Sequence, residues 1–262
     1  MAAPTDNLTL HRYKRTNKAY TEALGDGVSL MLMLIPGGEF MMGAPDGEPE
    51  SSDTERPQRL VKVPPFLMGR YPVTQAQWRV VADYDPVETD LKPAPSSFKG
   101  DSLPVEQVNW HDATEFCQRL SAKTQKNYHL PSEAQWEYAC RAETTTAYHF
   151  GDQLTEEVAN YNQNVGQTTP VGQYPANCWG LHDMHGNVWE WCKDHWHSNY
   201  EGAPTDGSAW IEGGDSKYRV RRGGSWINNP RVCRSAFRGN LVPGVDVYDF
   251  GFRVVGSAPR SL

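Results

Sequence analysis

The second half of the chain places the strongest limit on its fold. After Thr146 the helical periodicity of the sequence stops, and glycine, asparagine, proline and tryptophan become frequent. This composition predicts loops and short strands, of which Tyr218–Arg221 and Gly251–Val255 are the clearest. The backbone polar groups of so much irregular chain need internal partners, which buried asparagine or arginine side chains or a metal ion could supply.

Regular structure is expected mainly in the first half. Two apolar runs, Ser29–Ile35 and Phe40–Met42, flank a Pro-Gly-Gly turn and predict a β-hairpin. A second pair of strands is predicted over Leu60–Val63 and Phe66–Met68. The acidic segment Pro45–Pro57 lies between the two pairs and is predicted to be a surface loop.

Three helices are predicted from their N-terminal caps. Thr74 followed by Gln77, and Ser132 followed by Gln135, have the spacing of a capping box. Asn109 can cap a third helix between them, because apolar residues then recur at the spacing of one helix face. That face consists of Ala113, Phe116, Cys117 and Leu120, so its cysteine is assigned to the core and not to a nucleophilic role.

Composition indicates one globular domain and argues against several classes of protein. The chain has 262 residues with nine tryptophans and twelve tyrosines, enough for a large core, and no repeat or linker divides it. A formal net charge of −7 argues against nucleic acid or a membrane surface as the main partner. Met1–Leu10 lacks a secretory pattern and no apolar run could span a membrane, so a cytoplasmic location is expected. The five cysteines include no Cys-x-x-Cys pair, which predicts reduced thiols and neither a disulfide framework nor a zinc ribbon.

Arginines gather near the C-terminus of this acidic chain. Two interpretations are open. They could tie loops down through bidentate hydrogen bonds to carboxylates and carbonyls, or they could form an anion site. The arginines in question are Arg219, Arg221, Arg222, Arg231, Arg234, Arg238 and Arg253.

An ordered set of short motifs resembles the formylglycine-generating-enzyme (sulfatase-modifying factor) family. The resemblance implies an α+β, C-type-lectin-like fold with much irregular structure over residues 29–257. It leaves an N-terminal extension at 1–28 and a tail at 258–262. The motifs that carry it are Ile35–Phe40, Pro72–Thr74, Leu130–Glu137, Gly186–Trp191, Arg222–Trp226 and Gly251–Arg253.

The chemistry of that family is not expected in this chain. The family's copper-dependent oxidase converts a substrate cysteine to formylglycine and uses two cysteines placed after its Gly-Gly-Ser-aromatic motif, because thiolates hold copper(I). Here the stretch from Trp226 to Arg234 contains only Cys233. The related iron-dependent sulfoxide synthases carry an extra helical domain for which this chain has no room, and its clustered histidines are assigned to a structural loop: His182, His185, His195 and His197. No catalytic cofactor is therefore expected.

The resemblance also implies a structural calcium ion. The carried-over ligands are the side chains of Asp183 and Glu190 and the carbonyl groups of Gly186 and Val188. Carboxylates mixed with backbone oxygens suit this hard cation. The alternative is that both carboxylates accept hydrogen bonds from loop amides without a metal.

Within the family, the C-terminus more closely resembles the variable proteins of diversity-generating retroelements, which bind ligands and are not enzymes. In these proteins adenine-targeted copying rewrites chosen codons while a C-type-lectin-like scaffold tolerates the changes. The fixed framework would include Gly223–Trp226, Cys233–Ala236 and Gly251–Arg253, within a variable segment 223–255. The predicted ligand-binding residues are Ile227, Asn228, Asn229, Arg231, Val232, Phe237, Gly239, Asn240, Leu241, Val242, Val245, Val247, Tyr248, Asp249 and Phe250.

The residue types in this segment agree with such copying. Randomised adenines in AAC or AAT codons cannot produce Lys, Glu, Gln, Met or Trp, and none of these five occurs from Ile227 to Phe250. Tyr, Phe and Arg are favoured anchors at interaction surfaces, although apolar side chains also commonly fill cores. The prediction is a non-enzymatic protein that binds a macromolecule, most simply a protein. The alternatives are a formylglycine-generating oxidase and a structural module recruited through the acidic N-terminal half.

Overall fold

Eleven short strands and three α-helices are joined by long irregular segments in the computed structural model, which describes residues 14–258. The helices are α1 (Gln75–Ala82), α2 (Trp110–Thr124) and α3 (Glu133–Arg141). The strands are β1 (Ala19–Gly25), β2 (Val28–Ile35), β3 (Gly38–Met42), β4 (Arg59–Val63), β5 (Phe66–Gly69), β6 (Tyr128–His129), β7 (Trp189–Trp196), β8 (Asp215–Arg222), β9 (Gly239–Leu241), β10 (Phe250–Gly251) and β11 (Val255–Ser257). Mixed sheets with few helices confirm the predicted α+β class.

The largest sheet combines the first and the last strands of the described residues. Its strand order is β1-β2-β5-β11-β6, so β11 lies between two strands from the first half. Val255 pairs with Met68 on one side and with His129 on the other, both antiparallel. The strand β1 lies inside the predicted N-terminal extension, residues 1–28, and pairs with β2 along most of its length.

A second sheet carries the C-terminal half, in the order β10-β7-β8-β9. The strand predicted over Gly251–Val255 is divided in two, since β10 joins this sheet and β11 joins the larger one. Between them the Phe252 carbonyl accepts from the backbone N–H of Val73, and the Val254 carbonyl accepts from that of Gly69. The segment before β11 is therefore anchored to both sheets.

Both predicted strand pairings are wrong, although the strands themselves exist. The strand β2 pairs with β1 and β5, and β3 pairs with β4 in a sheet of two. Each Pro-containing connection leads the chain from one sheet to the next instead of closing a hairpin, because proline offers no N–H to a ladder. The two connections also meet: a Cβ on Gly37 would lie 2.8 Å from Cδ of Pro65.

The three helix starts are confirmed. Thr74, Asn109 and Ser132 each accept a backbone N–H and complete a capping box with the residue three positions later. The predicted face of α2 is buried, and burial raises the pKa of the Cys117 thiol, so its placement in the core is confirmed. Phe116 stacks on Trp78 with ring centroids 5.6 Å apart, which joins α2 to α1. Within the part of the chain that the structure describes, no helix is long and apolar enough to cross a membrane.

Candidate ligand-binding surface

The predicted variable segment begins at a turn that only glycine fits well. Gly223 and Gly224 have positive φ angles of 91° and 70°. A Cβ on Gly224 would lie 2.5 Å from the Cys233 sulfur, which packs directly beneath the turn. The 3₁₀ turn Pro230–Cys233 follows, and the backbone N–H of Trp226 donates to the Asn187 carbonyl. The path of the backbone is thereby fixed before the first candidate contact residue.

Buried arginines hold the rest of the segment. Arg234 donates to both carboxylate oxygens of Glu55 at 2.8 Å, and Arg238 donates to those of Glu133 at 2.6 and 2.8 Å. Arg222 pairs with Glu137 in the core. For these side chains the structural interpretation of the C-terminal arginines is confirmed. It also explains why the predicted surface loop 45–57 is well tied down, since its Glu55 is completely buried.

Exposed apolar side chains concentrate near the end of the segment that these arginines hold in place. Val242 and Tyr248 are each 43% exposed and Val245 is 39% exposed. Among residues 14–258 they are three of the eight large hydrophobic residues that are exposed. Asn229 and Arg231, earlier in the segment, are also exposed. These five side chains, termed the exposed set below, can reach a partner without any change in the core.

An aromatic layer supports the exposed set. The Trp226 ring lies 5.9 Å from that of Tyr248 and 5.6 Å from that of Phe98, which it meets edge to face. The backbone N–H of Phe98 donates to Glu106 Oε1 at 2.9 Å. Two polar atoms in this layer, Trp226 Nε1 and Glu106 Oε2, are buried without a hydrogen-bond partner, and burial raises the pKa of Glu106. Phe98 and Glu106 come from the long connection between α1 and α2, and no sequence pattern marked them.

The remaining candidates divide into half-buried and buried residues. Several half-buried side chains present one side to solvent and pack against the core with the other: Val232, Phe237, Leu241 and Val247. Ile227 and Asn240 are also half-buried. Asn228 is partly committed to the framework, because its Oδ1 accepts from the Ser225 backbone N–H at 3.0 Å.

Three of the predicted contact residues require correction. Phe250 is 2% exposed and lies 5.2 Å from the Trp191 ring, inside the core. Asp249 is buried and accepts a 2.7 Å hydrogen bond from Ser225 Oγ. Gly239 is buried in β9, where a Cβ would lie 2.7 Å from Arg221 Nε. All three belong to the framework, because no partner can reach them while the fold is intact.

The predicted calcium ligands do not fit that ion. Both carboxylate oxygens of Glu190 accept from the Arg253 guanidinium at 2.7 and 2.8 Å, and Oε2 also accepts from Trp136 Nε1. A guanidinium already supplies the positive charge there, so a second cation would be repelled. Asp183 accepts from the Gly172 N–H at 2.7 Å. Among the described residues no three His, Cys, Asp or Glu side chains are grouped to hold a metal. The carbonyl groups of Gly186 and Val188 lie in the same loop, between Asp183 and Glu190.

Cys233 and the neighbouring His185 are in structural environments. Cys233 is fully buried, which raises the pKa of its thiol and disfavours the reactive thiolate. His185 lies beside it with Nδ1 2.7 Å from the Cys233 carbonyl oxygen, and burial lowers the His185 pKa to about 4. The ring therefore stays neutral and donates this hydrogen bond to the loop.

Comparison with known proteins identifies the fold and the family. Residues 28–258 match the sulfatase-modifying factor enzyme 1-like domain, so the chain belongs to this family and has its C-type-lectin-like fold. The structure of PvdO from Pseudomonas aeruginosa is similar with a TM-score of 0.82 and 32% identity, over 94% of this chain and all of that one. Treponema denticola variable protein 1 gives a TM-score of 0.74 and 26% identity over the same shares.

Curated relatives differ in their activities. The chaperone protein LppX of Paenibacillus barcinonensis is 30% identical over 88% of this chain and 90% of its own length. A formylglycine-generating enzyme of Thermomonospora curvata is 28% identical over 85% of this chain and 92% of its own length. Two other relatives are longer proteins. The chain spans 37% of the length of the serine/threonine-protein kinase Pkn1 of Chlamydia trachomatis and 58% of that of the hercynine oxygenase of Mycolicibacterium smegmatis. Membership of the family therefore defines the fold and leaves the activity to be argued from the site.

Proposed function

We propose that this protein is a non-enzymatic binding protein whose exposed set contacts a macromolecular partner, in the manner of the variable proteins of diversity-generating retroelements. One observation carries the proposal. Exposed apolar and aromatic side chains lie on a segment whose backbone is fixed by the buried pairs Arg234–Glu55 and Arg238–Glu133. Contact residues can then vary while the scaffold does not. The likeness to Treponema denticola variable protein 1 supports this class.

The chemistry of the exposed set favours a protein as the partner. Val242, Val245 and Tyr248 offer apolar surface, and Arg231 offers an exposed cation that donates to the Glu50 carbonyl. Tyrosine and arginine are frequent anchors in protein interfaces. Because the segment is already ordered, binding does not have to order a loop, and more of the contact free energy appears as affinity.

Two matched libraries test whether the five exposed positions tolerate sequence variation. One randomises the five exposed positions with codons ending in C, and the other randomises Arg234, Arg238 and Phe250 in the same way. We expect most members of the first library to fold and to yield binders against a panel of purified proteins, and most members of the second to be insoluble. Equal loss of soluble protein in the two libraries would overturn the proposal.

The genome gives an independent test of the retroelement. We expect a reverse transcriptase gene nearby, with a near-copy of the codons for residues 223–253 that differs only where the copy has adenine. Differences at other bases count against diversification.

The oxidase of the same family is the second candidate, because relatives carry that activity. This candidate predicts that the protein consumes oxygen when it is supplied with copper and cysteine peptides. Oxygen consumption that is lost in Cys233→Ser would establish it. We expect none, since Cys233 is buried and lacks a second cysteine in its segment.

A further inference from the structure

A large cleft lies away from the predicted variable segment. A cleft of about 1280 Å³ opens between the N-terminal strands and the segment around Tyr174. None of its lining residues falls within 223–255, so it is separate from the exposed set. Its walls combine apolar side chains, among them Met31 and Phe150, with Arg70 and His149.

Arg70 is held in this cleft by neutral groups. One terminal nitrogen, Nη2, lies 3.3 Å from His182 Nε2, and Nη1 lies 3.4 Å from the Met31 sulfur. The other ring nitrogen of His182 is 2.7 Å from the Tyr174 carbonyl oxygen, so Nδ1 carries the proton and Nε2 accepts from Arg70. The Tyr71 ring lies 5.2 Å from the guanidinium carbon. These contacts orient the guanidinium without neutralising it.

The charge of Arg70 is not balanced as it is for the buried arginines of the framework. Among the ion pairs of residues 14–258, none involves Arg70, and its Nε is buried without a hydrogen-bond partner. Two carboxylates line the cleft. Glu143 is already bound by Arg15 through two 3.0 Å hydrogen bonds, and Glu157 is exposed to solvent. An arginine oriented in this way, with a planar fork of donors, is suited to a carboxylate or phosphate.

His149 adds a second polar group that lacks a partner. Its ring stacks on His185 with centroids 4.7 Å apart, and both of its nitrogens are buried without hydrogen bonds. Burial and the neighbouring His185 keep the His149 pKa well below the usual value, so the ring is neutral. A neutral imidazole has one N–H that can donate to an oxygen of a bound oxyanion. Phe150 beside it offers an aromatic surface.

We propose that this cleft binds an oxyanion, a carboxylate or a phosphate, attached to an aromatic or apolar group, with Arg70 contacting the charge. The ligand body would lie against Phe150 and Met31. This inference goes beyond the binding function of the exposed set and does not depend on it.

Calorimetric titration of the full chain tests the site with four probes: phenyl phosphate, benzoate, inorganic phosphate and phenol. We expect saturable 1:1 binding of phenyl phosphate, benzoate or both, weaker binding of inorganic phosphate and none of uncharged phenol. Preference for one of the two aromatic anions identifies whether phosphate or carboxylate is the better ligand. Absence of saturable binding for every anion up to roughly 10 mM, where only a very weak site would be missed, overturns the proposal.

Three variants locate the binding. Arg70→Gln should weaken it at least about tenfold, equivalent to about 1.4 kcal/mol. Arg79→Gln is the matched control, since Arg79 pairs with Asp101 on the surface, and it should bind as the parent does. His149→Phe keeps the ring stack and removes the nitrogens, so it should also weaken binding. Unchanged affinity in Arg70→Gln overturns the assignment. If the glutamine variant does not fold, Arg70→Lys is measured in its place, because lysine keeps the positive charge and loses the planar set of guanidinium donors.

Discussion

Arg234 donates to both carboxylate oxygens of Glu55, at 2.8 Å each, across a separation of 179 residues. The pair joins the predicted variable segment to a loop from the first half of the chain, and both side chains are buried. Its geometry turns an otherwise irregular region into a fixed surface. The consequences can be measured.

Breaking this pair should be costly. Glu55→Ala leaves the Arg234 cation buried with less compensation, and removing one partner of a buried ion pair typically costs about 3–5 kcal/mol. Urea unfolding measures the loss of unfolding free energy. The exposed pair Arg79–Asp101 is the control, and Asp101→Ala should cost less than about 1 kcal/mol. Equal losses in the two variants would mean that the buried pair does not hold the segment.

Exposed and buried positions of one segment should respond differently to truncation. Replacing Val242, Val245 and Tyr248 together by serine should change the unfolding free energy by about 1 kcal/mol or less, since surface changes usually fall in this range. Phe250→Ala should cost about 3–5 kcal/mol, because it leaves a cavity beside Trp191. A triple variant as unstable as Phe250→Ala would contradict the division into contact and framework residues.

Asp183 should make stability fall as pH rises. Burial raises the pKa of this carboxyl to about 6, well above its ordinary value of 3.8. The folded protein therefore binds a proton more tightly than the unfolded chain. The stabilisation is fully present below about pH 4 and is lost as pH rises through 6, on the order of 3 kcal/mol.

The variant Asp183→Asn isolates this effect. Its amide oxygen can still accept from the Gly172 N–H, so the loop hydrogen bond remains while the titration disappears. Urea unfolding between pH 4 and 7.5, in the presence of a chelator, should show a steeper decline for the parent than for the variant. Parallel curves would show that Asp183 does not titrate in this range.

Calcium should not stabilise the protein. Glu190 is bound on both oxygens by Arg253, which leaves it poorly placed to accept a cation. A ligand present at one hundred times its dissociation constant would add about 2.7 kcal/mol. We therefore expect the same melting temperature in 1 mM EDTA and in millimolar calcium. A calcium-specific rise that magnesium does not reproduce, and that Asp183→Asn abolishes, would restore the predicted metal site.

Local signals in the sequence predicted local structure well. The caps at Thr74, Asn109 and Ser132 act over three residues, and all three helices begin where these caps place them. Strand pairing is a relation between distant residues, and proximity along the chain gave the wrong partners for β2 and β3. The family motifs predicted the fold because they describe the whole arrangement.

The candidate surface was predicted only in part for a similar reason. Tyr248 and Phe250 are both aromatic and two positions apart, yet one is 43% exposed and the other 2%. Their difference arises from β10, where Phe250 pairs with Trp189, and nothing in the local sequence indicates that pairing. Arg70 likewise belongs to no motif. Its side-chain contacts come from Met31 and His182, which are distant in the chain, so the local sequence cannot show that Arg70 lacks an ion pair among residues 14–258.

Because β11 lies in the interior of the largest sheet, the fold can be completed only after the last strand has been translated. Val255 and Gly256 pair with β5 on one side and with β6 on the other. A copy interrupted or shifted in frame anywhere between residues 227 and 250 would lack this strand and leave two strand edges open in the middle of the sheet. Such products would be exposed to proteolysis and aggregation, so a folded molecule requires translation through residues 227 to 257 in the correct frame.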